Sequence, residues 1–272
     1  DQDGRRMKTR PPKSPQARAM RSRKSVVAII VEKGNDGVWL GSGCIIRGGP
    51  GGSLVLTCEH VLRNATSIRI RRVLRRGGVK EYPATIIRAH LPTDIAFLSV
   101  PNLTKASLAL KLVEAPGNVQ LNQAAVAIGY ASPADGPESV WDGSFLVRLP
   151  SISPGCICEC DELLDWRVAE EPGKRKLGRM EGIVNEVVFL NCETIGGMSG
   201  GPVVDSRGVI GMNIKVSDTG NPVMMVVSSK SIIQLLKVAA GLHINVRGSF
   251  LRPYEFSFKI STHVPDSLFP TL

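Results

Sequence analysis

The sequence predicts an all-β protein of two packed β-barrels, with a C-terminal helix closing the second. Three observations carry this. Hydrophobic residues make up 43% of the 272-residue chain but aromatics only 5%, so the core must be built from Val, Ile and Leu, which favour strands. The 28 glycines and 18 prolines supply the turns that many short strands need. The apolar runs are short and fall into two groups separated by a linker, a pattern that suits two barrels.

Residues 1–24 are polar, basic and proline-containing. They lack apolar periodicity and read as a disordered basic arm. Order begins at Ser25. Val26 to Val31 is continuously apolar and reads as a buried strand, followed by a turn at Gly34-Asn35-Asp36-Gly37. Trp39 to Ile46 is a second predicted strand, interrupted by Gly41 and Gly43, and Ser53 to Thr57 a third. Ser67 to Arg71 alternates apolar and polar, the mark of a half-exposed strand, and Gly77-Gly78 closes a hairpin. Ala84 to Ile87 and Ile95 to Val100 complete barrel one, about 25–115.

A linker from Leu110 to Asn122 leads to barrel two, about 120–240. Its predicted strands are Ala125 to Gly129, Ser144 to Leu149, Ile183 to Leu190, Pro202 to Val204, Val209 to Ile214 and Val223 to Val227. Ser229 caps a helix from about Ser231 to Ala240, with Ile232, Ile233, Leu235, Leu236 and Val238 on its apolar face. Residues 241–272 form a C-terminal extension.

Three segments carry chemistry. Leu56-Thr57-Cys58-Glu59-His60-Val61 follows a strand, Thr93-Asp94-Ile95-Ala96 opens one, and Gly196-Gly197-Met198-Ser199-Gly200-Gly201 is a glycine-rich turn before another. A serine hydroxyl is a weak nucleophile until a base takes its proton. Histidine suits that base because it titrates near neutrality. A carboxylate then fixes the imidazole tautomer and stabilises the imidazolium. A glycine turn can aim backbone N–H groups at the developing oxyanion, and Gly197 and Ser199 are the natural donors. Each segment alone has an ordinary structural explanation. Together, in the order His60, Asp94, Ser199, they follow one of the known triad orders and fall at strand ends of both barrels.

These segments resemble the trypsin-like superfamily, and especially its HtrA/Deg (Do-like) branch. Gly41-Ser42-Gly43-Cys44-Ile45-Ile46 is similar to that branch's first-barrel strand, and Val61 stands where secreted trypsins place a disulfide cysteine. Val203-Val204-Asp205 through Gly208 to Asn213 looks like the plant Do-like proteins. The resemblance covers about residues 25–240, which it identifies as a peptidase domain. It implies two six-stranded, chymotrypsin-like barrels, peptide hydrolysis through an acyl-enzyme, a polypeptide substrate, and neither metal nor organic cofactor. A role in protein quality control follows by analogy. The residues after Ala240 fall short of the ~50 of even a small domain, so the branch's usual PDZ domain is expected to be absent.

The sequence departs from the family in places. Met198 stands where the Deg branch often has Asn and trypsins have Asp. By alignment with trypsins, Glu193 falls at the floor of the specificity pocket, where a carboxylate would select Lys or Arg. The alternative is an exposed loop residue, since unpaired carboxylates are rarely buried. Residues 132–180 read as an insertion between Asp94 and Ser199. It contains Cys156, Cys158 and Cys160, whose alternation places their thiols on one strand face but does not match zinc-ligand spacing.

Six cysteines in a chain of this length do not form a disulfide scaffold. They point to a reducing, intracellular compartment, with nucleus, chloroplast and cytoplasm all open. No apolar run reaches the ~18 residues of a membrane span. The net charge of +10, the basic arm, and Arg69, Arg71, Arg72, Arg75, Arg76 and Lys80 raise a rival reading as a nucleic-acid-associated protein. A second rival is a catalytically silent trypsin-like fold serving as a binding or regulatory module.

Overall fold

The computed structural model describes residues 14–34, 37–74, 78–114, 119–131, 149–158, 187–193, 196–216 and 223–239. Their strands form two sheets. The first contains β1 (Val26–Glu32), β2 (Val38–Gly49), β3 (Gly52–Cys58), β4 (Ser67–Val73), β5 (Val79–Pro83), β6 (Thr85–His90) and β7 (Ile95–Val100). It runs in the order β5-β4-β1-β2-β3-β7-β6. The second contains β8 (Ala124–Gly129), β9 (Ser151–Cys158), β10 (Val187–Asn191), β11 (Pro202–Val204), β12 (Val209–Val216) and β13 (Val223–Ser228). These close into a barrel in the order β10-β13-β12-β11-β8-β9. The expected six-stranded closed barrel is therefore met by the second unit. The first is a seven-stranded sheet with edges at β5 and β6, one strand more than expected.

The strand sequences explain their positions. Val26 to Val31 is buried along its whole length because β1 lies between β2 and β4 with both faces covered. Burying such a side chain is worth about 1.5–3 kcal/mol, so this run anchors the sheet. In β8, Ala125 and Ala127 join one apolar cluster with Leu190, Val203, Ile210 and Met224. Val126 and Ile128, pointing the other way, join a larger cluster that includes Ile29, Ile45, Leu56 and Phe97 of the first sheet. The period-2 alternation of a strand thus places one layer within the second unit and another between the two units.

Two predicted features change. Residues 14–25 are ordered: α1 (Pro15–Ser22) runs into a 3-10 turn, Arg23–Ser25. Ser14 caps α1 by accepting the Ala17 N–H at 3.2 Å, Pro15 begins it, and Ala19 is fully buried. The predicted arm through residue 24 does not hold for these residues; residues 1–13 lie outside the described ones. Ser151–Cys158, expected within an insertion, is instead barrel strand β9, paired with β8 and β10. Residues 132–148 and 159–180 of that expected insertion, with the predicted strand from Ser144 as far as residue 148 and Cys160, lie outside the described residues, as does the extension 241–272.

The last element, α3 (Ser229–Ala239), matches the predicted helix within two residues and buries Ile232 and Leu235. Between the units, Leu112 forms a parallel bridge to Val209, and the Leu110 N–H donates to the Ile45 carbonyl at 2.8 Å. The linker is thereby stitched to both sheets. Among the described residues no helix is long and apolar enough to cross a membrane.

Candidate active site

The register of β3 and β7 builds the first half of the site. Cys58 pairs with Ile95 at the end of both strands. The chain leaving β3 enters α2 (Glu59–Leu62), which holds His60, and the chain entering β7 passes through Asp94. His60 and Asp94 therefore meet where the two strands end.

Asp94 follows a 3-10 turn, Leu91–Thr93, with φ 54° and ψ 33°. This left-handed conformation is rare for a residue with a Cβ but tolerated by aspartate. It turns the residue back onto the histidine segment. The Asp94 carbonyl accepts the Glu59 N–H at 3.2 Å. Its Oδ1 accepts the His60 backbone N–H at 2.9 Å, and its Oδ2 lies 2.6 Å from His60 Nδ1. A carboxylate at Nδ1 accepts the proton there and leaves Nε2 as the free base. The His60 side chain is 39% exposed, so its outer edge is open to solvent.

Cys58 backs this pair. It is fully buried, and its Sγ donates to the Asn213 carbonyl at 3.2 Å. Burial, reinforced by the charge of Asp94, pushes its thiol well above the ordinary range. Cys58, His60 and Asp94 are also the metal-capable group found among the described residues, with donor atoms within 4.8 Å of one another. Cys58 Sγ, His60 Nδ1 and Asp94 Oδ2 are already engaged by the bonds just given.

The second half of the site is the turn before β11. Gly197 and Gly200 both adopt φ 86°, which only glycine enters freely. A Cβ on Gly200 would lie 2.1 Å from the Ser42 carbonyl and 2.5 Å from Thr57 Oγ1. Glycine is thus required for the turn to sit against the end of β3. The Gly200 N–H donates to the same Asn213 carbonyl that receives the Cys58 thiol. One acceptor therefore joins the serine turn to the histidine segment.

Ser199 stands half-buried in this turn. Its carbonyl accepts the Ser42 N–H at 2.8 Å, and the Met198 carbonyl accepts the Gly201 N–H at 3.0 Å. The N–H groups of Gly197 and Ser199, and the Ser199 hydroxyl, make no hydrogen bond among the described residues. Two donors are thus unspent. Among the described residues the Ser199 hydroxyl and His60 Nε2 are not hydrogen-bonded to each other; such bonds are often absent where no substrate is bound. Met198 points into the apolar cluster of barrel two and is 2% exposed. Its side chain fills the core beneath the turn.

Glu193 is exposed, and its carbonyl accepts the Ser153 hydroxyl. That placement suits a loop residue better than the floor of a pocket. Cys156 is exposed on β9 and Cys158 half-buried. Two contributors escaped the sequence reading, Ser42 and Cys58. Their residue types at a fully buried strand position were the available signal.

Comparison with known proteins agrees with this fold. The sequence profile of the trypsin-like peptidase domain matches residues 41–212. Comparison with curated protein sequences gives no significant match. Among solved structures, the active form of the Rv3671c protease from M. tuberculosis aligns with a TM-score of 0.58 at 20% identity, over 80% of this chain and 81% of that one. The HtrA-type protease AlgW with a tripeptide aligns with a TM-score of 0.57 at 20% identity, over 82% of this chain and 63% of AlgW. An inactive form of Rv3671c aligns with a TM-score of 0.56 at 21% identity, over 84% of this chain and 96% of that one. At such identities the likeness is one of fold, and that fold is chymotrypsin-like.

Proposed function

Since the chain belongs to the trypsin-like peptidase family, we propose that it is a serine endopeptidase acting on polypeptides through His60, Asp94 and Ser199. The observation that carries this reading is the doubly bonded Asp94 carboxylate, with Oδ2 2.6 Å from His60 Nδ1 and Oδ1 on the His60 N–H. Such an arrangement holds one tautomer of the ring and leaves Nε2 to take a proton.

In the reaction, the Ser199 hydroxyl attacks the peptide carbonyl carbon while His60 Nε2 takes its proton. The carbonyl oxygen becomes an oxyanion, received by the Gly197 and Ser199 N–H groups. Protonated His60, its charge balanced by Asp94, gives that proton to the leaving amine, and the C–N bond breaks. Water, deprotonated by His60 Nε2, then attacks the acyl carbon, the bond to Ser199 Oγ breaks, and His60 returns the proton to that oxygen.

A fluorophosphonate probe tests the assignment. Labelling of the wild type, lost in Ser199→Ala, is the expected outcome. A wild type that takes no label, alone or with denatured casein present, would instead favour the silent-fold reading. A peptide library reports on Glu193: preference for small aliphatic residues would exclude selection of Lys or Arg by its carboxylate. From the resemblance to the HtrA/Deg branch, damaged or unfolded polypeptides are the proposed substrate class. For the rival nucleic-acid reading, Arg69 is bonded to Glu32 and Glu81, and Arg71 to Glu81, so these two side chains are already paired with carboxylates.

A further inference from the structure

Ser42 is a polar residue at a position where the fold has no need of one for packing. It lies in β2, is 0% exposed, and is flanked by Gly41 and Gly43, where a Cβ would come within 2.5 Å of Val61 and 2.8 Å of Ile29. Glycine is thus required on one face of the strand, and Ser42 projects from the other. The pairing of β2 with β3 ends at Cys44 and Leu56. The edge of β2 beyond Cys44 is therefore free to bond something else, and it bonds the serine turn of the other unit.

Every polar atom of Ser42 is used there. Its N–H donates to the Ser199 carbonyl and its carbonyl accepts the Thr57 hydroxyl, both at 2.8 Å. Its hydroxyl donates to the Gly197 carbonyl at 2.8 Å and accepts the Tyr130 N–H at 2.8 Å. The outer carbonyls of Gly197-Met198-Ser199 are thus both held by one residue of barrel one. The middle carbonyl is held within the turn by the Gly201 N–H.

We propose that Ser42 is a positioning residue of the peptidase site, its hydroxyl clamping the Gly197 carbonyl so that the oxyanion turn keeps its working shape. This rests on the serine-peptidase reading above. Its physical basis is the freedom of glycine. At φ 86° Gly197 has no Cβ to resist rotation about ψ. Among the described residues, the Ser42 hydroxyl is the one partner of its carbonyl. A peptide plane moves as a unit, so an unheld Gly197–Met198 plane can turn its carbonyl toward the place where negative charge develops. The donors of an oxyanion site work only if pre-aimed. Because Ser42 also receives the Tyr130 N–H, the clamp ties the turn to the end of β8.

The test uses Ser42→Ala, with Ser53→Ala as a matched control. Ser53 is also a buried β-strand serine whose hydroxyl donates to a backbone carbonyl, that of Leu103, away from the turn. Ser42→Ala loses two buried hydrogen bonds, to the Gly197 carbonyl and from the Tyr130 N–H, and Ser53→Ala loses one, so both should melt below the wild type. Only Ser42→Ala is expected to slow fluorophosphonate labelling and the kcat for a quenched fluorescent peptide, by roughly 10- to 100-fold with KM within about threefold. Hydrogen exchange read on the peptide covering Gly196–Gly201 should quicken in Ser42→Ala and not in Ser53→Ala. Equal losses of kcat in the two variants, or unchanged exchange of that peptide in Ser42→Ala, overturn the proposal. The exchange arm needs no activity: if the wild type takes no label while the turn still loosens in Ser42→Ala, the clamp stands and the peptidase reading fails. Should Ser42→Ala not fold, Ser42→Cys carries the same measurements, its weaker thiol donor giving an intermediate loss; wild-type kcat and exchange there also overturn the proposal.

Discussion

Asp94 illustrates how much one residue can be asked to do. It adopts φ 54°, a conformation that costs a residue with a Cβ roughly 1–2 kcal/mol. The cost is offset by the backbone and side-chain bonds it makes to Glu59 and His60. Asparagine also tolerates this conformation, so Asp94→Asn should fold with little change in melting temperature. Its amide nitrogen or oxygen must now face His60 Nδ1 without a negative charge, and the wrong tautomer is favoured. Its kcat should fall on the order of 10⁴-fold, read from initial rates on a fluorogenic peptide at neutral pH. Retained melting with lost turnover separates this role from a structural one. The proposed triad could be picked out in the sequence because its residue types and chain order are distinctive. Ser42 and Cys58 could not, since a serine or cysteine in a strand has many ordinary explanations until its partners are visible.

At the scale of elements, legibility followed apolar pattern. Val26 to Val31, Ile95 to Val100 and the helix after Ser229 were recoverable because each buries a continuous or periodic face. Helix α1 was missed because its sequence is dominated by basic and polar residues around one buried side chain, Ala19. Its signal was the Ser14-Pro15 start, an N-cap followed by a proline at the first helical position. The helix is tied to the second unit by Arg18 Nε, which donates to the Ser206 carbonyl at 2.8 Å. Ala19→Asp would place an unpaired carboxylate in the core. It should cost several kcal/mol, on the order of 3, read by denaturant titration, whereas the exposed Met20→Asp should cost little. Strand β9 was missed for another reason. Pro154 and Gly155 look like a loop, yet Gly155 is required because a Cβ there would lie 2.0 Å from the Asn191 carbonyl of β10. Gly155→Ala should therefore open the barrel between β9 and β10. Faster hydrogen exchange in both strands, with a lowered melting temperature, is the expected result.

Across the whole molecule, the charge and the thiols tell different stories. The net charge of +10 is partly balanced on the described residues of the β4–β5 hairpin, where Arg69 and Arg71 pair with Glu32 and Glu81. Burial alone would raise the carboxyl of Glu81, but Arg71 and Arg69 outweigh it and hold it below its usual range. The thiols are set by burial in both units. Burial pushes Cys44 in β2 up to about 12 and Cys192 beside β10 up to about 11, with Cys58 at the site raised in the same direction. The folded chain therefore keeps these protons to higher pH than the unfolded chain, which releases them near pH 9. Stability from this source is complete below pH 9 and is lost as pH rises toward 11 and 12. Each buried thiol that is protonated when folded and ionised when unfolded costs about 1.4 kcal/mol per pH unit in that window. Urea midpoints measured from pH 8 to 11 should fall accordingly. Cys44→Ala should start lower at pH 8, because a buried side chain is shortened, but decline less steeply by about 1.4 kcal/mol per pH unit. A parallel decline in the variant would show that Cys44 ionises equally in both states and that its burial is not what resists alkali. The same burial predicts slow reaction of Cys44 and Cys58 with a thiol reagent at pH 8, while exposed Cys156 reacts at once. Ser199→Ala should leave both the alkaline slope and the thiol protection unchanged, because the side chains that resist alkali lie in the cores and Ser199 lies in a half-buried turn.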